Sequence, residues 1–201
     1  AGAVVRTVLP DDIATAVARC AGDYRVTSFM VFHAALAVTV ARLAATTDVV
    51  IASPIDGRTD RALENLVGMF VNTLVLRVDV DPGQSFSDLL ARVRAVDLAA
   101  FAHAVAPFET VVDAVDPVRS EAFAPLAQVM LSFDPAASAI SNGASFAGLD
   151  VALVEPTDVP AQLDLQLTVS TAAPGSPWQL QAIYAHDLFD AATVGSMLEC
   201  F

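Results

Sequence analysis

The stretch LENLVGMFVNTLVLRVDV, Leu63 to Val80, decides the fold class. From Thr73 onward its side chains alternate: Leu74, Leu76, Val78 and Val80 share one face, and Thr73, Val75, Arg77 and Asp79 share the other. A period of two sustained over this length predicts a β-strand with one face on the core. By the same period Asn72 falls on the face of Leu74, which points a side-chain amide toward the interior. Two roles are open to an amide there. It satisfies the backbone of a neighbouring loop, or it lines a cavity and orients a ligand, because a buried polar group has to find partners.

The flanking segments alternate between helical and extended patterns. VLPDDIATAVARCAGDY (8–24) reads as a strand end followed by a helix with Pro10 and Asp11 in its first turn. Thr27 or Ser28 is placed to cap an apolar helix reaching about Leu43, and DVVIASP (48–54) reads as a short strand buried on both faces. IDGRTDRALENLVG (55–68) is a polar connection with room for one helical turn. Beyond the opening strand, DPG (81–83) turns the chain, and Ser85 or Ser87 caps a helix to about His103. Its Leu89, Leu90, Val93, Val96 and Phe101 recur at helical spacing. Pro107 starts a short helix, PFETVVDAV, and PLAQVMLSFD (125–134) is a further apolar strand. PAASAISNGASFAG (135–148) is expected to be a surface loop. Three strands, LDVALVE (149–155), AQLDLQLTVS (161–170) and WQLQAIYAHD (178–187), precede a last helix capped by Asp190. With no repeat and no linker, the pattern predicts one α/β layered unit, a mixed β-sheet with packed helices.

Composition restricts the function classes. A chain of 201 residues that is 55% hydrophobic can bury a sizeable core. Ten basic against 23 acidic residues give a net charge of −13, which argues against nucleic acid or an anionic membrane as partner. Every basic residue is arginine, so Schiff-base chemistry on lysine is excluded. Cys20 and Cys200 have no metal-type spacing and read as reduced core thiols, with a bridge between them left open. AGAVVRTVLPDD lacks the charged start and apolar block of a secretory signal, so a cytoplasmic location is expected. The most membrane-like run, Phe29 to Ala45, is short and interrupted by His33, Thr39 and Arg42, as in a buried helix. A hydrophobicity this high also implies a surface partly covered by a partner.

The familiar catalytic constellations are missing. His33, His103 and His186 are scattered without metal-ligand spacing, and no metal site is expected. His33 on an apolar helix face reads as a satisfied core histidine. His186-Asp187 closes a strand with no nucleophile motif beside it, and GASFAG (143–148) misses the G-x-S-x-G elbow by one residue.

DVVIASPIDGR, VGMFVNTLVLRVDV, AHAVAPFE and PLAQVMLSF nevertheless occur in an order and spacing that resemble the C-terminal half of the condensation domain of non-ribosomal peptide synthetases. LDLQLTV, YAHDLF and the final helix are similar to the end of that half. The resemblance implies a chloramphenicol-acetyltransferase-like fold of two lobes in a V, with residues 1–201 forming the C-terminal lobe. It implies peptide-bond formation, in which an acceptor amine attacks a carrier-bound thioester. The family's catalytic histidine belongs to an HHxxxDG motif in the N-terminal lobe. Nothing in this chain matches that motif, so no catalytic residue is assigned here and the lobe alone is expected to be inert. Partners implied are the N-terminal lobe, carrier-protein domains and an adjacent adenylation domain. The carriers bring phosphopantetheine, and no cofactor is held directly.

The same resemblance implies residue roles. Asn72 and Thr73 match the family's N-T pair and, with Phe70, would position substrate at the tunnel. Arg58 matches a Gly-Arg element at the lobe interface and would pair with the aspartate of the absent histidine motif, a partner lost in the isolated lobe. His103, Pro107, Phe108, Glu109, Pro125 and Gln128 match structural motifs. Departures occur at Ala104 and Val105, where the family carries polar residues, and at Ser120, Ala122 and Phe123. Two alternatives remain: a lobe of a related free-standing acyltransferase, and a degenerate, non-catalytic lobe serving as a domain platform.

Overall fold

The computed structural model describes residues 1–58, 60–134, 145–146, 149–150, 159–170 and 177–201. The chain runs β1 (Gly2–Val8), α1 (Asp11–Tyr24), α2 (Ser28–Leu43), β2 (Asp48–Ile55), a 3₁₀ turn (Arg61–Leu63) and β3 (Asn72–Asp79). It continues through α3 (Phe86–Ala102), α4 (Phe108–Val115), β4 (Val129–Asp134), β5 (Ser145–Phe146), β6 (Leu149–Asp150), β7 (Leu165–Ser170), β8 (Gln179–Ala185) and α5 (Ala191–Cys200). Six strands form one sheet in the order β1-β8-β7-β4-β2-β3. The central pairs β2–β4 and β4–β7 are parallel, and β1–β8, β7–β8 and β2–β3 are antiparallel. This is the expected mixed sheet.

The helix boundaries follow capping chemistry. Thr27 Oγ1 accepts the Met30 backbone N–H at 3.2 Å, and Asp190 Oδ1 accepts that of Thr193 at 2.7 Å. Ser85, the start of α3, makes a capping box: its hydroxyl accepts from Asp88 N while the Asp88 carboxylate accepts from Ser85 N. The Thr193 donors hold the Asp190 carboxyl below its ordinary range.

The core lies between one face of the sheet and the helices. Ile51, Val78, Leu131, Leu167, Leu180 and Ala182 are buried against α2 (Ala34, Leu36, Ala37), α3 (Leu90, Val93) and α5 (Val194). Side chains on the opposite face, among them Val50, Val75, Met130, Gln166 and Ile183, are only half-buried. β2 is enclosed at Val49 and Ile51 on the helix face and at Ala52 on the other, in keeping with a strand buried on both faces, while Val50 is half-buried.

Other boundaries move. The strand end read at Val8 is a full seven-residue edge strand zipped along β8. The strand expected over 161–170 begins only at Leu165, where pairing to Val129 and Tyr184 starts together. The surface loop placed at 135–148 and the strand placed at 149–155 fall mostly outside the described residues. Cys20 packs half-buried against the core, but Cys200 is exposed; both thiols are free. No single helix among the described residues is long and apolar enough to cross a membrane.

Along α3 the helical spacing holds for Leu89, Leu90 and Val93, but Phe101 is exposed and Asp97 takes the next core-facing position. Asp97 Oδ1 meets His33 Nδ1 of α2 at 2.9 Å, with both side chains fully enclosed. His33 Nε2 and Asp97 Oδ2 have no further hydrogen-bond partner. The core histidine is thus paired through one nitrogen only, and the pair ties the two longest helices together.

Candidate functional site

Asn72 is the first residue of β3, opposite Ile55, on the helix-covered face that the alternation predicts. Its amide is fully engaged. Nδ2 donates to the carbonyls of Ala104 and Ala106 at 2.9 and 2.8 Å. Oδ1 accepts the backbone N–H groups of Phe108 at 3.0 Å and Thr73 at 2.9 Å. An amide offers two donor hydrogens and one acceptor oxygen with two lone pairs, so no valence is left for a ligand. Asn72 pins the loop between α3 and α4 to the start of β3. Thr73, one residue on, lies half-buried on the opposite face of the sheet, across from Pro54.

A shallow cavity of about 260 Å³ adjoins this anchor, lined by Gly57, Phe70, Val71, Asn72, Ala104, Val105, Pro107 and Glu109. Gly57 shapes its rim. Its φ is +69°, and a Cβ there would sit 1.8 Å from the Phe70 carbonyl oxygen. Only glycine allows this conformation and this approach. The residue went unremarked as a site residue in the sequence, although D-G is a recognised turn signal.

Arg58, expected to lack the aspartate of the absent histidine motif, has local partners within this chain. Its Nη1 is 2.5 Å from Asp56 Oδ1, its Nη2 donates to the Leu66 carbonyl at 3.2 Å, and its guanidinium lies 4.6 Å from the Phe70 ring centroid. The guanidinium therefore organises its own loop, stacking on Phe70 as a cation–π contact. Beyond it the chain presents Leu66, Val67, Met69 and Val71, all exposed, with Val105 facing solvent beside them. Five large apolar side chains on one exposed loop region make a patch that water solvates poorly.

The remaining motif residues lie at the ends of helices and in turns. His103 ends α3, Pro107 precedes α4, and Glu109 is exposed in the first turn of α4, at the positive end of its dipole. Phe108 supplies the N–H that Asn72 holds. Gln128 Nε2 donates to the Ala124 carbonyl at 2.9 Å, bracing the turn through Pro125 that leads into β4. The His186 imidazole lies 3.1 Å from Asp187 on the surface, distant in the sheet from Asn72, and its backbone N–H donates to the Ala1 carbonyl. Among the described residues no three His, Cys, Asp or Glu side chains gather as metal ligands. The geometry provides a hydrogen-bonded wall and an apolar contact surface, with no nucleophile–base pair among the described residues.

The family model of the condensation domain matches residues 2–201. A dimodular nonribosomal peptide synthase of Bacillus subtilis is 40% identical over 179 residues, covering 87% of this chain and 7% of that protein. An isonitrile lipopeptide synthase of Mycobacterium tuberculosis is 48% identical over 124 residues, 62% of this chain and 5% of the synthase. The chain thus spans a small fraction of the length of the curated relatives it matches. Among solved structures, the X-domain from teicoplanin biosynthesis matches with a TM-score of 0.86 at 25% identity, covering 98% of this chain and 44% of its own. The condensation domain of the monacolin K polyketide synthase MokA matches at 0.84 and 19% identity, covering 99% and 45%. The mixed sheet with packed helices is the chloramphenicol-acetyltransferase-like architecture these neighbours share.

Proposed function

This chain belongs to the condensation-domain family, and from that premise we propose that it is the C-terminal lobe of a condensation domain forming peptide bonds in a nonribosomal peptide synthetase. The observation that carries the lobe assignment is its match, over almost all of its own length, to less than half of the solved condensation domains. In this proposal the acceptor amine nitrogen attacks the carrier-bound thioester carbonyl. The C–N bond forms, the C–S bond breaks, and the pantetheine thiol leaves with the amine's proton. The proton-handling histidine comes from the N-terminal lobe. This chain contributes a wall of the tunnel, built from Phe70, Asn72 and the Ala104–Phe108 loop. Asn72 acts there by holding the wall in place.

Phosphopantetheine is brought by carrier domains, with the adenylation domain adjacent in the same synthetase. Arg58, 24% exposed, remains open to a second carboxylate from the histidine motif once the lobes meet. Incubated with loaded donor and acceptor carrier proteins, the isolated chain is expected to give no peptide product, because no general base is present. Adding the N-terminal lobe should restore turnover. Robust product from the isolated chain would sink the half-enzyme proposal.

The exposed Leu66–Val71 segment and Val105 are the surface we assign to contact with the N-terminal lobe. Alone, the chain is expected to self-associate or to bind a hydrophobic dye through this surface while folded. Val67→Asp combined with Met69→Asp should abolish that behaviour without changing the fold. Persistence of dye binding in the double variant would place the sticky surface elsewhere.

A further inference from the structure

We propose that a second cavity, at the opposite end of β3 from Asn72, binds a small aromatic monocarboxylate. Eight strand residues at 3.4 Å each put it about 25 Å from the Asn72 anchor, so it stands apart from the tunnel wall. It lies between the C-terminal end of α2, the turn after β3 and the first turn of α3, and encloses about 440 Å³. That volume is within the range of small-molecule sites. Val80 and Leu89, both buried, form the floor; Val38 forms a wall, and the exposed ring of Phe86 stands at the rim. An apolar floor with an aromatic rim suits a flat apolar body.

Two polar features set the other end of the ligand. Arg42, in the last turn of α2, lines the cavity, is exposed, and has no hydrogen-bond or ion-pair partner among the described residues. That leaves its guanidinium available to a carboxylate from a ligand. Gln84 also lines the cavity, and both atoms of its amide are buried with no hydrogen-bond partner. Buried amides are ordinarily satisfied, so this one, adjoining the cavity, is free to turn its N–H toward a group that enters it. A ligand carboxylate gives the guanidinium a bidentate partner and the Gln84 N–H an acceptor. Asp81, whose Oδ1 accepts the Gly83 N–H, adds negative charge to the lining. It repels a dianion such as a phosphate ester more than a monocarboxylate.

The test titrates this chain with 1-naphthoate and, as the uncharged counterpart, 1-naphthalenemethanol, using calorimetry and backbone amide NMR. The acid is expected to bind with a Kd below about 1 mM, a modest affinity for a ligand of this size. Amide shifts should centre on residues 38–47 and 80–89. Arg42→Gln should weaken 1-naphthoate by about five- to twentyfold, the worth of one charge-assisted contact, while leaving the alcohol within about twofold. Because Arg42 is exposed and unpartnered, the variant should melt as the parent does, and its melting curve checks that. Phe86→Ala should weaken both ligands. Equal binding of the acid to parent and Arg42→Gln overturns the proposal. So do shifts centred on residues 66–71, or no binding at about 5 mM.

Discussion

Replacing Asp97 by alanine is expected to lower the unfolding free energy by about 3–5 kcal/mol, the range for removing one member of a buried pair. For a domain of this size the melting temperature should fall by roughly 6–20 °C. Asp97 sits on α3 and His33 on α2, in contact at 2.9 Å with neither exposed to solvent. Without the carboxylate, the imidazole keeps both nitrogens buried and unpaired, since Nε2 already lacks a partner. Asp97→Asn retains a hydrogen-bonding group of the same shape and should lose less. The double replacement His33→Leu with Asp97→Leu removes the polar atoms together, and should recover most of the loss because an apolar pair needs no partners. Urea unfolding of the four proteins gives the comparison. A loss under about 1 kcal/mol for Asp97→Ala would mean that the pair does not hold α2 to α3.

Asn72→Ala should cost about 1–3 kcal/mol, since it strands two loop carbonyls and the Phe108 N–H. Asn72→Asp should fare no better. One carboxylate oxygen would still accept from Phe108, but the other would face the carbonyl oxygens of Ala104 and Ala106 where an N–H₂ is needed. In a two-lobed domain, the rate per folded molecule should then fall only as far as the Ala104–Phe108 loop loses its position. Thermal melting and single-turnover peptide formation on one preparation separate the roles. An Asn72→Ala variant with unchanged melting and a rate lowered by about a hundredfold or more would return the amide to the reacting groups.

Much of the architecture was legible in local patterns. Period-two alternation from Leu74 to Val80 placed β3 and the side of Asn72, and Thr27, Ser85 and Asp190 announced their helices through capping chemistry. Such signals are local because a cap or an alternation involves residues within one turn or a few steps of the chain. The family motifs were equally legible, since they are contiguous. The half-burial of Val50 beside a buried Ala52 was not: an apolar run carries no mark of which side chains on a face end up covered.

The site divides along the same line. By itself the sequence determined that an amide begins β3 facing inward, that a polar connection carries Arg58, and that no histidine motif of the family lies in these residues. Only the tertiary structure decided what the amide does, because its partners lie 32 to 36 residues away on the Ala104–Phe108 loop. The same holds for Arg58, which takes Asp56 and the Phe70 ring. His33 and Asp97, 64 residues apart, are each an oddity on an apolar helix face until α2 and α3 are packed. A hydrogen bond is specific to within a few tenths of an ångström, and sequence spacing carries no such information between segments that meet only in the folded chain.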